Sequence, residues 1–148
     1  MSTANKPSWK NLICQITPDI KQPAPADESL LLAAEQNLKL SFPAQLRELL
    51  LECDGVTAQF GSKALWSVTE IQDRNNEFRN TEAFRELYMP FDHLLFFGDG
   101  GNGDQFAFAI HADGKIHKLD IYCWDHETDS RTWFASGMKQ YLEKKSME

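Results

Sequence analysis

Residues 94–110 read LLFFGDGGNGDQFAFAI, and this stretch decides the fold class. The apolar run Leu94–Phe97 is typical of a central strand that is covered on both faces. The segment Gly98–Gly103 is the strongest turn signal in the chain, because four of its six residues are glycine. Large apolar residues then alternate with smaller or polar ones over residues 104–110, which predicts a second strand running back along the first.

The strand pattern continues toward the C-terminus. Asp113-Gly114 predicts a hairpin turn, and residues 116–124 predict the next strand. After a polar turn at 125–130, a closing helix is predicted from Thr132 or Trp133. Four apolar residues in it recur at helical spacing: Phe134, Met138, Tyr141 and Leu142.

The residues before the strands predict helices. One helix is expected after Asp27, a good N-cap, and a second is expected with Pro43 at its first position. A third helix is expected to be capped by Ser67 or Thr69. Because helices, an antiparallel meander and a closing helix follow one another in separate blocks, the order predicts an α+β fold.

Composition and charge narrow the function classes. The chain has 148 residues, 42% of them hydrophobic and 25% charged, which suits one globular domain. A net charge of −7 disfavours direct binding to nucleic acid. We expect no membrane segment and no secretory signal, since no apolar run approaches the roughly 18 residues of a span. The three scattered cysteines fit free thiols, so a cytoplasmic location is expected.

The negative charge is concentrated in one window. Residues 86–129 carry nine acidic and two basic residues, so this window alone accounts for the net charge of −7. All four histidines lie in it as well. The simplest interpretation is a set of solvated acidic turns. The alternative is an acidic surface that faces a positively charged partner.

No motif for catalysis or for a cofactor is complete. The loop Gly98–Gly103 precedes a strand and lacks the lysine of a phosphate-binding loop, and its acids do not have EF-hand spacing. The histidines lack metal-ligand spacing, and Cys123 with His126 has no visible activating environment. The sequence therefore predicts no enzyme, no cofactor and no metal site. A small enzyme or metal protein that uses the glycine loop stays as a minor alternative.

Three segments together resemble one known family. They are EQNLKLSFPAQLRELL at 35–50 followed by CDGV at 53–56, LFFGDGGNGDQF at 95–106, and FASGMKQYL at 134–142. Their order and spacing resemble the SUKH superfamily, also called Smi/Knr-like, over about residues 27–143. Phe42 stands where that family more often has leucine.

The resemblance implies both a fold and a role. It implies a single α+β domain with a mixed, mostly antiparallel sheet flanked by N-terminal helices and a C-terminal helix. We therefore expect an N-terminal extension and connector at 1–26 and a Smi/Knr-like domain at 27–148. Bacterial members are mostly immunity proteins that neutralise a cognate toxin, often a nuclease, whereas fungal members are regulatory scaffolds. No catalytic residues come with the family.

The expected function is therefore that of a non-enzymatic immunity protein, which binds and neutralises a cognate toxin through an acidic surface. The toxin is expected to be a basic nuclease domain. The alternative is a regulatory or scaffold module that has no toxin partner. The contact residues predicted for either role are Asp99, Asn102, Asp104, Trp124, Asp125 and Glu127. For Trp124 two interpretations stay open, an exposed aromatic anchor or a residue of the core.

Overall fold

The structure, a computed structural model, describes residues 8–58 and 61–146. The helices in these ranges are α1 (Trp9–Ile16), α2 (Glu28–Leu38), α3 (Ala44–Glu52), α4 (Val68–Asn80), α5 (Glu82–Leu87) and α6 (Met138–Ser146). The strands are β1 (Val56–Thr57), β2 (Lys63–Leu65), β3 (Leu94–Asp99), β4 (Gln105–Ala109), β5 (Ile121–Trp124) and β6 (Arg131–Ala135). None of the helices in the described ranges is long and apolar enough to cross a bilayer.

Two antiparallel sheets organise the strands. Strands β3, β4, β5 and β6 are neighbours in that order, and β1 pairs with β2. The register aligns Asp99, Gln105, Trp124 and Arg131 in one row across the larger sheet. With helices before the sheet and α6 after it, the predicted α+β class is confirmed.

The core is built from the apolar run and from the helices that the sequence predicts. Every residue of Leu94–Phe97 is buried, as expected for a strand covered on both faces. Helix α2 begins after Asp27 as predicted, while Pro43 is the N-cap of α3 and not its first residue. Ser67 caps α4 through a capping box with Glu70.

The described part of the predicted extension packs on the rest of the chain. Ile13 of α1 is buried, and α1 contacts α3 and α6. The Glu52 carboxylate accepts hydrogen bonds from the Ser8 hydroxyl at 2.9 Å and from the Lys10 N–H at 3.0 Å. Residues 1–7 of the extension lie outside the described ranges, and the division at residue 26 stays a prediction.

The C-terminal expectation was wrong in its boundaries. Residues 131–135 form strand β6, and the closing helix begins at Met138 instead of Thr132 or Trp133. The spacing of Phe134 relative to the residues of α6 suggests a helix, but β6 pairs with β5 instead and places Trp133 opposite Tyr122. Strand pairing therefore outweighs the local helical pattern. Within the predicted strand 116–124, only Ile121–Trp124 is paired.

A buried amide joins α4 to the edge of the larger sheet. Asn75 is 1% exposed, and its Nδ2 donates to the carbonyls of Phe96 at 2.8 Å and of Ile71 at 2.7 Å. Its Oδ1 accepts from the Phe96 N–H at 2.9 Å. The side chain thus takes the place of a neighbouring strand at Phe96, and every polar group of the contact is satisfied.

Replacement of Asn75 by alanine should lower the free energy of unfolding by about 3 kcal/mol, because the Phe96 N–H and C=O are left buried without partners. Urea unfolding followed by tryptophan fluorescence measures this loss. Asn80→Ala, at the exposed end of the same helix, is the matched control and should change stability by less than about 0.5 kcal/mol. Equal stability of the two variants would contradict the role assigned to Asn75.

Candidate partner-binding site

Most of the predicted contact residues meet at one end of the larger sheet. The connection between β3 and β4 lies beside the turn between β5 and β6, because the register pairs Asp99 with Gln105 and Gln105 with Trp124. We call residues 99–104 together with residues 125–130 the loop end of the sheet. It contains five of the six predicted contact residues outright, and Trp124 directly precedes its second segment.

Asp99 ties the glycine loop to the core. Its Oδ2 accepts a hydrogen bond from the indole Nε1 of the fully buried Trp66 at 2.9 Å, and its Oδ1 accepts from the Gly101 N–H at 3.0 Å. Gly101 has a φ of 81°, a conformation that L side chains rarely adopt. The loop conformation therefore depends on a glycine at this position and on a buried tryptophan.

Asp104 joins the two segments of the loop end. Its Oδ1 lies 2.9 Å from His126 Nδ1 and also accepts from the His126 N–H at 3.2 Å. Gly103 makes room for this contact, since a Cβ there would lie 2.8 Å from the imidazole ring. On the other side, Asn102 Oδ1 accepts from the Asp104 N–H at 3.1 Å.

The contact changes the acidity of the imidazole. The hydrogen bond to Asp104 raises the pKa of His126 above its ordinary value, burial opposes this, and the charges of Asp104, Glu127 and Asp125 add to the rise. Protonated His126 then donates to Asp104, so the two segments are held together by an ion pair.

Asp125 and Glu127 form the outer part of the loop end. Asp125 Oδ1 accepts from the Glu127 N–H at 2.8 Å and from the Thr128 N–H at 3.3 Å, which shapes the turn. The Glu127 side chain is 80% exposed, and its Oε1 lies 3.9 Å from His126 Nε2. Glu127 is thus the predicted contact residue whose charge is most open to a partner.

Trp124 lies in the core. It is 3% exposed and packs edge-on against Tyr88, with 5.0 Å between ring centroids, and against Phe91 at 5.2 Å. The structure therefore supports the interpretation of Trp124 as a core residue. The interpretation as an exposed anchor for a partner is wrong. The indole is buried because β5 places it on the sheet face that the segment 88–91 covers.

Sequence reasoning missed a carboxylate that holds this indole. Asp129 accepts hydrogen bonds from Trp124 Nε1 at 2.7 Å, from the Met89 N–H at 2.9 Å and from Arg131 Nη2 at 2.8 Å. Burial opposes ionisation, but these hydrogen bonds and the Arg131 charge lower the pKa of Asp129 below its ordinary value. Only an Asp–x–Arg pattern at the start of β6 signals this contact in the sequence.

The acidic window does not form one continuous face. Asp113 and Asp120 belong to the connection between β4 and β5, at the opposite end of the sheet from the loop end. There Asp113 pairs with His117 at 2.6 Å, and Asp120 accepts from Trp133 Nε1 at 3.1 Å. The acids of the loop end are Asp99, Asp104, Asp125, Glu127 and Asp129.

One group at the loop end resembles part of a metal site. Asp104, Asp125 and His126 each offer one ligand atom, and these atoms lie within 4.8 Å of one another. Three such ligands are fewer than a closed zinc site or a calcium site takes from protein. The Asp104–His126 hydrogen bond already uses two of the three groups.

The chain is similar to a known protein family over most of its length. The family model described as the SMI1 / KNR4 family (SUKH-1) matches residues 25–144. No curated protein matches the chain at a significant level.

Replacement of Asp129 by asparagine should lower the free energy of unfolding by about 2 kcal/mol, because the Arg131 charge, in a largely buried side chain, loses its carboxylate partner. Urea unfolding provides the measurement, and Asp73→Asn on the exposed face of α4 is the matched control. The assignment fails if the two variants are equally stable.

The ion pair between Asp104 and His126 makes a prediction about pH. Since the folded-state pKa of His126 is raised, the stabilisation by this pair is fully present below the ordinary value of 6.5 and is lost as the pH rises through the folded-state pKa. In an NMR titration of the imidazole protons, His126 should titrate above 6.5, and Asp104→Asn should move its midpoint downward.

His93 provides the internal control for this titration. Burial, and then the charge of Arg131, lower the pKa of His93 below its ordinary value, and His93 lies outside the loop end. Its midpoint should therefore be unchanged in Asp104→Asn. A His126 midpoint that does not respond to Asp104→Asn would show that the pair does not form in solution.

Proposed function

The chain belongs to the SMI1/KNR4 family (SUKH-1), and from this premise we propose that it is a non-enzymatic immunity protein that binds and neutralises a cognate toxin through the loop end. The family assignment is consistent with an immunity-type role. The same proposal places the protein in the cytoplasm, where a toxin that has entered the cell would act.

The observation that carries the proposal is the fixed geometry of the loop end. Asp104 and His126 hold its two segments together, and Asp99 connects it to the buried Trp66. A surface that is already ordered loses little conformational entropy on binding. An inhibitor of this kind can block a partner without rearrangement of its own backbone.

Charge indicates the class of partner. Glu127 and the partly exposed Asp125 present carboxylates at the outer rim, with Asp104 behind them. A basic protein surface complements such a rim and is steered toward a chain of net charge −7. Nuclease domains are basic because they bind phosphates, so a nuclease toxin is the partner class we propose.

Glu127→Lys should slow association with the toxin. The test co-expresses the chain with the product of the adjacent gene, measures growth rescue, and then follows binding by surface plasmon resonance over a series of salt concentrations. We expect the association rate to fall about tenfold at low salt, with a smaller salt dependence, while the dissociation rate changes less. Glu127 accepts no hydrogen bond from the described residues, so the variant should keep its fold.

The control carries the same charge change elsewhere. Asp73→Lys lies on the exposed face of α4 and should leave the association rate within about twofold of the parent. Equal effects of the two variants would exclude the loop end as the contact surface. A normally folded chain that neither binds the product of the adjacent gene nor rescues growth in its presence would count against the immunity role and favour the regulatory scaffold.

A further inference from the structure

A second surface, of opposite charge, lies beside α4 and α5. A groove of about 640 Å³ is formed by the C-terminal end of α2, the ends of α4 and α5, and the segment 88–92. Its charged lining residues are Lys39, Arg79, Arg85 and Asp92, so cations outnumber carboxylates three to one. This excess is unusual in a chain whose net charge is −7.

The three cations are not neutralised by close ion pairs. Across residues 8–58 and 61–146, the ion pairs within 4.0 Å use other basic residues. Burial lowers the pKa of Arg79 below its ordinary value, and the nearby charge of Asp92 offsets this effect only in part. The groove therefore keeps a positive potential.

Arg79 and Arg85 are held in position by backbone carbonyls. Arg79 Nη2 donates to the Leu94 carbonyl at 3.0 Å, and Arg85 Nη2 donates to the Arg79 carbonyl at 3.3 Å. The Nε of Arg79 is buried and has no acceptor in the described part of the chain.

The walls of the groove are aromatic and its rim is apolar. Phe84, Tyr88 and Phe91 line it, with Phe84 and Tyr88 ring centroids 5.9 Å apart. Met89 lies at the rim and is 58% exposed, and the nearby Leu87 is 71% exposed. Exposed large apolar side chains beside a groove are typical of a surface that contacts another protein.

We infer that this groove binds an acidic peptide segment of a partner protein. Carboxylates of the segment pair with Arg79, Arg85 and Lys39, and an aromatic side chain of the segment packs on Met89. The inference goes beyond the proposed function, because the loop end selects a basic surface and the groove selects an acidic one.

A short peptide fits the surroundings better than a nucleic acid does. The Tyr88 hydroxyl donates to the His126 carbonyl at 3.1 Å, so the groove borders directly on the acidic loop end. A long polyanion leaving the groove would be repelled there, whereas a segment of four or so residues ends before it. The apolar rim also offers nothing to a phosphate backbone.

The test uses the full chain labelled with ¹⁵N and the acetylated, amidated peptide Asp-Glu-Phe-Glu-Asp. We expect shifts of backbone amides in α4, α5 and residues 88–92, and a dissociation constant that Arg85→Glu weakens by about fivefold or more. Lys39→Glu, an independent variant at the other wall, should act in the same direction. Both side chains are exposed, so both variants should fold.

Two control variants distinguish an effect of net charge from an effect at the groove itself. Lys118→Glu carries the same charge change on the exposed β4–β5 connection and should leave the dissociation constant within about twofold of the parent. Glu127→Lys, which should impair toxin binding, should leave peptide binding intact, so failure of one proposal is distinguishable from failure of the other.

Four results would overturn the inference. They are equal binding of the uncharged peptide Asn-Gln-Phe-Gln-Asn, shifts confined to residues outside the groove, displacement of the peptide by inorganic phosphate at equal concentration, and concentration-dependent dimerisation that Arg85→Glu abolishes. The third would identify a phosphate site and the fourth a contact with a second copy of the chain.

Discussion

The fold depends on hydrogen bonds to the backbone groups along the edge of β3 that no strand of the larger sheet covers. This strand is the most deeply buried element, and only one of its sides pairs with a strand of the larger sheet. On the other side, Trp66 N–H donates to the Phe97 carbonyl at 2.8 Å, and the Asn75 amide bonds both polar backbone groups of Phe96. Buried backbone groups without such partners would each cost about 1–3 kcal/mol, which is as much as the burial of one large apolar side chain contributes.

The same edge positions the candidate site. Trp66, whose backbone bonds β3, uses its indole to hold Asp99 at the end of that strand. From Asp99 the glycine loop leads to Asp104, and Asp104 bonds His126 in the neighbouring turn. The core therefore sets the loop-end geometry through a short series of direct contacts, and local loop preferences do not have to supply it.

Sequence patterns predict elements whose signal is local. The apolar run of β3, the glycine turn and the N-caps Asp27 and Ser67 are local signals, and the structure confirms them. Strand β6 was missed because its pairing with β5 across the turn 125–130 outweighs the helical spacing of its apolar residues. Likewise, Asn75 bonds Phe96, 21 positions away, and Asp129 bonds Met89, 40 positions away, so a local window of sequence does not show these two contacts.

The site shows the same division between local and non-local information. Charge counting finds the acids of the window, but it cannot tell that Asp113 and Asp120 lie at the end opposite to Asp104, since that depends on strand direction. Nor can it separate an exposed Trp124 from one covered by the segment 88–91. Burial of Trp124 leaves charge and backbone shape as the means by which the loop end can select a partner.

Two surfaces of opposite charge can act on one molecule because their electrostatic effects reach over different distances. At physiological ionic strength a charge is screened over about 8 Å, so the field far from the molecule follows the net charge while a partner in contact meets local groups. The net charge of −7 therefore draws in basic proteins from a distance. The cations beside α5 act only at short range, on a ligand that lies in the groove against its aromatic walls. The two proposals therefore assign steering and groove recognition to different charges, and a change to one set should leave the other largely intact.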